Sequence, residues 1–189
     1  MNDLSERFVP GDGPASCDVM VIGEAPGADE DRELRPFVGR AGRVLNEALA
    51  EVGLPRESVY ITNVVKRRPP NNRPPTPEEI ESHLDYLIGE IQCMRPRFVL
   101  LLGNTALSTL TEYEGRIMSR RGRISNTKTV FPSDTIVYAT LHPSAVLHNS
   151  GLRQSFLEDL SVFANLVHQV RTNSSSGPDT NRGENKSGE

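Results

Sequence analysis

A three-layer α/β/α sandwich around a central sheet of four parallel strands is the fold class that the order of apolar runs predicts. Short runs rich in Val, Ile and Leu fall at residues 19–22, 59–65, 98–102 and 136–139. They are continuous rather than alternating, as strands covered on both faces are. Between and after them lie stretches with apolar residues at helical spacing, and this alternation is what builds a parallel sheet.

The first run, Val19-Met20-Val21-Ile22, is broken by Gly23-Glu24-Ala25-Pro26-Gly27. A helix follows, with Val44, Leu45, Ala48, Leu49 and Val52 on one stripe. The second run carries Asn63 inside Ile61-Thr62-Asn63-Val64-Val65, where a buried amide is costly without a partner. The next helix announces its start: Thr76 can cap it, Pro77 suits its first position and Glu79 closes a capping box. Its stripe reads Ile80, Leu84, Leu87, Ile88 and Ile91. The third run leads into Gly103-Asn104 and the fourth into Leu141-His142-Pro143-Ser144. A last helix sets Phe156, Leu160, Phe163, Val167 and Val170 on one face.

With 189 residues, 36% of them hydrophobic, the chain can bury one sizeable core. The expected organisation is an N-terminal extension (1–16), one domain (17–170) and a polar tail (171–189) that has no hydrophobic residue with which to order itself. A net charge of -4 excludes a surface that attracts nucleic acid everywhere, so any such binding needs a local basic patch. No apolar run approaches the ~20 residues of a membrane helix, and the first residues are too polar for a signal peptide. A cytoplasmic monomer is expected. Cys17 and Cys93 form no C-x-x-C pair and are read as packing residues.

Parallel strands put their carboxyl ends on one edge, where open α/β sheets bind ligands. The turn after the first strand, Asn63, Gly103-Asn104 and the segment around His142 therefore converge on one candidate crevice. The turn continues as GEAPGADEDRELRPFVGRAG, a long glycine-rich stretch that makes poor core. Together with ITNVVK, RPPNNRPP and HPSAVLHN, this order of motifs resembles the uracil-DNA glycosylase superfamily, most closely its family 4. The resemblance runs from about Val21 to about Leu166.

The resemblance implies hydrolysis of the bond between uracil and deoxyribose in DNA, the first step of base excision repair. That reaction leaves positive charge on the sugar and negative charge on the base, so it needs an acidic group on one side and donors on the other. By resemblance, His142 faces the uracil O2, Asn63 reads the base edge and Phe37 stacks on the flipped ring. Gly23, Ala25, Pro26 and Gly27 complete the base-binding turn. Each residue also has a plainer reading: His142 capping a strand, Asn63 tying a loop, Phe37 filling the core. Relatives in family 1 carry an Asp where this chain has Ala25, so the acid is one of the available carboxylates, Glu24 or Glu30, with Glu24 narrowly favoured.

The segment after Asn63 holds Lys66, Arg67, Arg68 and Arg73 with no acid. Lys66, Arg68, Asn72 and Arg73 are expected to contact DNA, as are Ser144, Val146, Leu147 and His148 in the loop that in the family enters the minor groove. A second basic run, Arg116 to Lys128, reads mostly as a solvated face. Family 4 members normally hold a [4Fe-4S] cluster on four cysteines. Here Arg67 and His83 stand at two of those positions and only Cys17 precedes the first strand, so no cluster and no metal are expected. A DNA-binding protein without turnover and a small-molecule nucleotide hydrolase remain rival readings.

Overall fold

In the computed structural model, which describes residues 4–125 and 130–175, strand β1 (Val19–Gly23) is flanked by β2 (Tyr60–Asn63) and β3 (Phe98–Leu102). The sheet order is β2-β1-β3-β5-β4, with β5 spanning Ile136–Thr140 and β4 spanning Arg123–Ile124. The first four of these strands run parallel. Every residue of β1 and β3 is buried, so both faces of the sheet are covered. The sheet is five-stranded and mixed rather than four-stranded, because β4 joins the edge of β5 antiparallel. Its two residues are both exposed, so no apolar run marks it in the sequence.

The helices are α1 (Ala28–Glu33), α2 (Arg40–Glu51), α3 (Pro77–Met94), α4 (Gly103–Leu110), α5 (Ile117–Arg120), α6 (Pro143–His148) and α7 (Arg153–Ser175). Leu45, Ala48 and Leu49 of α2 enter the core as their spacing predicts. The capping box of α3 forms: the Glu79 N–H donates to Thr76 Oγ1 at 3.3 Å, and the Thr76 N–H donates to Glu79 Oε2 at 2.8 Å. The buried face of α3 is Glu79, His83, Leu87 and Ile91, so two polar residues take places that the apolar stripe assigned to Ile80 and Leu84. Glu79 can occupy the interior because Arg73 meets both its oxygens at 2.7 Å.

Among the described residues, parts of the expected extension and of the expected tail are attached to the body. Helix α7 continues through Ser175, and Arg171 Nε donates to Asp18 Oδ2 at 3.0 Å, so the body does not stop at residue 170. The rest of the expected tail lies outside the described residues. The expected extension is no free arm either: the Val9 N–H donates to Lys66 O at 2.8 Å, and Asp12 and Ile61 exchange backbone bonds at 2.9 and 2.8 Å. No helix among the described residues is long and apolar enough to cross a membrane.

The register aligns Gly23 with Asn63, Ile22 with Leu101 and Leu102 with Thr140, which levels the carboxyl ends. The chain leaves β1 toward β2 on one side and returns to β3 on the other. That reversal opens the crevice in which such sheets bind ligands.

Candidate active site

A cavity of about 220 Å³ lies at that reversal, lined by the turn after β1, Phe37, Asn63 and His142. Glu24, Ala25, Pro26, Gly27, Glu30, Asn72, Arg73 and Ser144 also line it. Gly23 lies behind two of these residues, Phe37 and Asn63. A methyl group there would lie 2.4 Å from Phe37 Cζ and 2.5 Å from Asn63 Oδ1, so only glycine lets the ring and the amide approach together.

Asn63 is 3% exposed, and its Oδ1 is a buried acceptor without a hydrogen-bond partner. An amide that ties a loop through its oxygen would have that oxygen bonded, and here it is not. An unpaired acceptor in a pocket wall costs about 1–3 kcal/mol, which a ligand N–H would recover. Asn63 is fixed from behind, where Lys66 Nζ donates to its carbonyl oxygen at 2.7 Å.

Phe37 has a backbone φ of 53°, unusual for a bulky residue. Three contacts hold it there. Arg56 Nη1 donates to Phe37 O at 3.1 Å, Arg56 Nη2 donates to Pro36 O at 2.7 Å, and Gly42 gives the Phe37 backbone room that a Cβ would fill at 2.0 Å. The Phe37 ring is 5% exposed and lies 5.8 Å from the His142 ring, centroid to centroid.

Glu30 staples the long loop. Its Oε1 accepts the Val38 and Gly39 N–H groups at 3.0 and 2.8 Å, and its Oε2 accepts the Gly27 N–H at 3.1 Å. A carboxylate so engaged is a poor base for water. Glu24 is freer: it lines the cavity, and one oxygen accepts the hydroxyl of Thr105 from the first turn of α4. That partner lies 81 residues away, which is why the sequence does not reveal it.

His142 caps α6 and lines the cavity at once. Its Nδ1 accepts the Ser144 N–H at 3.2 Å and meets Ser144 Oγ at 2.7 Å. The neutral ring therefore carries its proton on Nε2. Loss of surrounding water pulls its pKa down to about 4, so the imidazole is neutral at pH 7. Gly103, at φ 86°, leaves room for the ring, since a Cβ there would meet His142 Cβ at 3.0 Å.

Two of the expected DNA contacts are overturned. Lys66 is fully buried, with Nζ 2.6 Å from Glu90 Oε2 and 2.6 Å from Thr62 Oγ1, so it faces no phosphate. Val146 is 6% exposed and, with Leu147, lines a separate apolar cavity against Ala48 and Phe156, so it is packed rather than poised to wedge. Leu147 is half-buried and His148 exposed. Arg68 Nε donates to Asn72 Oδ1 at 2.7 Å, and Arg73 stands at the cavity mouth beside Asn72. In the second basic run Arg121 binds Asp159, Arg120 donates to Ile124 O, and Lys128 lies outside the described residues.

The residues at the cluster positions do not fit an iron–sulfur centre. Arg67 donates to the carbonyls of Ser5 and Glu6, the His83 Nδ1 lies 2.8 Å from Glu79 O, and Cys17 Sγ donates to Val19 O. Among the described residues no group of three His, Cys, Asp or Glu side chains is arranged to hold a metal ion.

Comparison with known proteins shows the family of the chain. Residues 10–161 match the family model described as the uracil DNA glycosylase superfamily. A type-4 uracil-DNA glycosylase of Pyrobaculum aerophilum is 44% identical over 166 residues, covering 86% of this chain and 85% of that protein. Its counterpart in Archaeoglobus fulgidus is 42% identical, with 88% and 85% covered. That of Thermotoga maritima is 43% identical, with 82% and 80% covered.

Proposed function

The chain belongs to the uracil-DNA glycosylase superfamily, and from that premise we propose that it removes uracil from DNA by hydrolysis of the N-glycosidic bond, leaving an abasic site. The observation that carries this reading is the unpartnered Oδ1 of Asn63 inside a pocket walled by an aromatic ring and a neutral histidine. Uracil presents N3–H to that acceptor and O4 to the amide N–H. Cytosine presents a bare N3 and an amino group, so both contacts become mismatched.

As the bond from C1′ to N1 breaks, its electron pair leaves with the base and collects partly on O2. The Nε2–H of His142 donates there, a neutral hydrogen bond that strengthens as charge grows. Phe37 supplies the flat apolar face on which the base stacks. Glu24, oriented by the Thr105 hydroxyl, stabilises the cationic sugar and positions the water whose oxygen adds to C1′ and whose proton passes to the carboxylate. Glu30 shapes the loop. Asn72, Arg73 and Ser144, which line the cavity, and Arg68 beside Asn72 meet the DNA strand in this reading. No metal enters any of these steps, and the two cysteines of the chain are too few for a family 4 cluster.

Incubation with a uracil-containing oligonucleotide, followed by alkali and a denaturing gel, tests the proposal. A strand break at the uracil is expected. Retention of the DNA without a break, on single- and double-stranded substrate alike, would leave a binding protein without turnover.

A further inference from the structure

We infer that the N-terminal segment 5–12 is a positioning element of the base pocket, holding the base-reading and base-stacking residues through two separate relays; this rests on the glycosylase reading above. The segment runs antiparallel to Ile61 of β2 and to the residues that follow that strand. The Ser5 N–H donates to Arg68 O, the Val9 N–H to Lys66 O and the Asp12 N–H to Ile61 O, at 2.9, 2.8 and 2.9 Å. It thus covers the edge strand that carries Asn63.

The two relays start at neighbouring residues. From Gly11, the N–H donates to Glu90 Oε1 at 3.1 Å, Glu90 Oε2 takes Lys66 Nζ at 2.6 Å, and Nζ reaches Asn63 O at 2.7 Å. From Asp12, Oδ2 takes Arg56 Nη2 at 2.8 Å, and Arg56 grips the carbonyls of Pro36 and Phe37 at 2.7 and 3.1 Å. One relay ends on the backbone carbonyl of the residue whose amide reads the base, the other on the backbone of the residue whose ring stacks on it.

Stability alone is a weak reason for either relay. A buried Lys–Glu pair can often be exchanged for apolar residues without loss, yet Lys66 spends one of its three donors on the Asn63 carbonyl. Phe37 sits at a positive φ that must be imposed from outside, and Arg56 supplies two of the hydrogen bonds that impose it, beside Asn46 Nδ2, which donates to Phe37 O at 3.4 Å. Asp12 and Lys66 touch no substrate and are positioning residues.

The test uses the full chain with Asp12→Ala, the milder Asp12→Asn, and the double variant Lys66→Met with Glu90→Gln, which leaves no lone buried charge. Three quantities are measured: single-turnover base release, inhibition by free uracil, and affinity for DNA carrying a baseless tetrahydrofuran site. Asp12→Ala and the double variant are expected to release uracil roughly 10- to 100-fold more slowly, as misplacement of a reacting group does. Their inhibition by free uracil should weaken in parallel, with baseless DNA bound as by the parent and Asp12→Asn falling between. Variants within two-fold of an active parent in both base-dependent readouts, whatever their melting temperature, would overturn the inference. A parent that releases no uracil would sink the glycosylase reading and this inference with it.

Discussion

The backbone N–H of Ser144 donates to Nδ1 of His142 at 3.2 Å, and that one bond decides which nitrogen of the ring can serve the base. The proton is left on Nε2, and the low pKa of about 4 keeps it there alone at neutral pH. Between that value and the ordinary 6.5, the unfolded chain binds a proton that the folded chain refuses. This group's contribution to stability is therefore complete above pH 6.5 and is lost as pH falls toward 4. NMR of the imidazole should show the Nε2–H tautomer at pH 7 and no titration through 6.5. His142→Ala should slow base release by the equivalent of ~2.7–4 kcal/mol with the fold intact. Equal single-turnover rates would remove His142 from the mechanism.

Asn63→Asp is expected to weaken discrimination between uracil and cytosine. The carboxylate keeps an acceptor but loses the donor for uracil O4, at a cost of about 1–3 kcal/mol in a buried site. Its protonated form can donate to the cytosine N3 while the other oxygen accepts the amino group. Release of cytosine should therefore rise as pH is lowered, measured on matched uracil and cytosine oligonucleotides. A variant that still binds uracil DNA yet gains nothing on cytosine DNA would show that the amide is not the gatekeeper.

Glu24 and Glu30 should separate cleanly when each is changed to Gln. In Glu30→Gln, either amide orientation sets an NH2 against at least one of the three N–H groups that the carboxylate accepts. The expected loss is about 1–3 kcal/mol of stability, or several degrees of melting temperature for a domain of this size, with part of the activity kept. Glu24→Gln should melt close to the parent while turnover falls roughly 10²- to 10⁴-fold, the usual worth of a positioned acid or base. The reverse pattern in calorimetry and kinetics would exchange the two roles.

What the sequence reveals and what it hides follow from the range of the signals. Continuous apolar runs mark β1, β2, β3 and β5 because burial on both faces is written locally in residue type. Strand β4 is hidden because two exposed residues carry no pattern. The pocket residues after each parallel strand are visible as polar or glycine positions that interrupt those runs. Their supports are not: Thr105 for Glu24, Arg56 for Phe37 and Glu90 for Lys66 are long-range pairings that topology alone creates. Lys66 illustrates the error this causes, since a basic run looks solvated until a partner 24 residues on draws one member inside.

The purified protein should be colourless and hold well under one iron per chain, against the four of a [4Fe-4S] cluster. Arg67 and His83 already have protein partners at the positions where the family places thiolates. Elemental analysis of protein purified without oxygen, with a sulfide assay beside it, checks this. Stoichiometric iron and sulfide would mean that other ligands hold a cluster.

Gly23→Ala should damage base recognition far more than folding. Gly23 is not among the glycines at positive φ, so alanine suits its backbone and the conflict is steric. The new methyl group would lie 2.4 Å from Phe37 Cζ and 2.5 Å from Asn63 Oδ1. Both atoms end side chains that can swing away, whereas the Gly23 backbone is held in register beside Asn63 of β2, with the Val64 N–H donating to Gly23 O at 3.0 Å. The strain is therefore relieved into the pocket, moving the stacking ring and the reading amide apart. Overpacking of this kind costs about 1–3 kcal/mol of stability, while a displacement near 1 Å at the reacting centre slows chemistry by roughly 10²-fold. Single-turnover base release should fall by that order, with inhibition by free uracil weakened and a cooperative melt retained. A variant that loses stability but still binds free uracil as tightly as the parent would show that Phe37 and Asn63 do not meet the base together across Gly23.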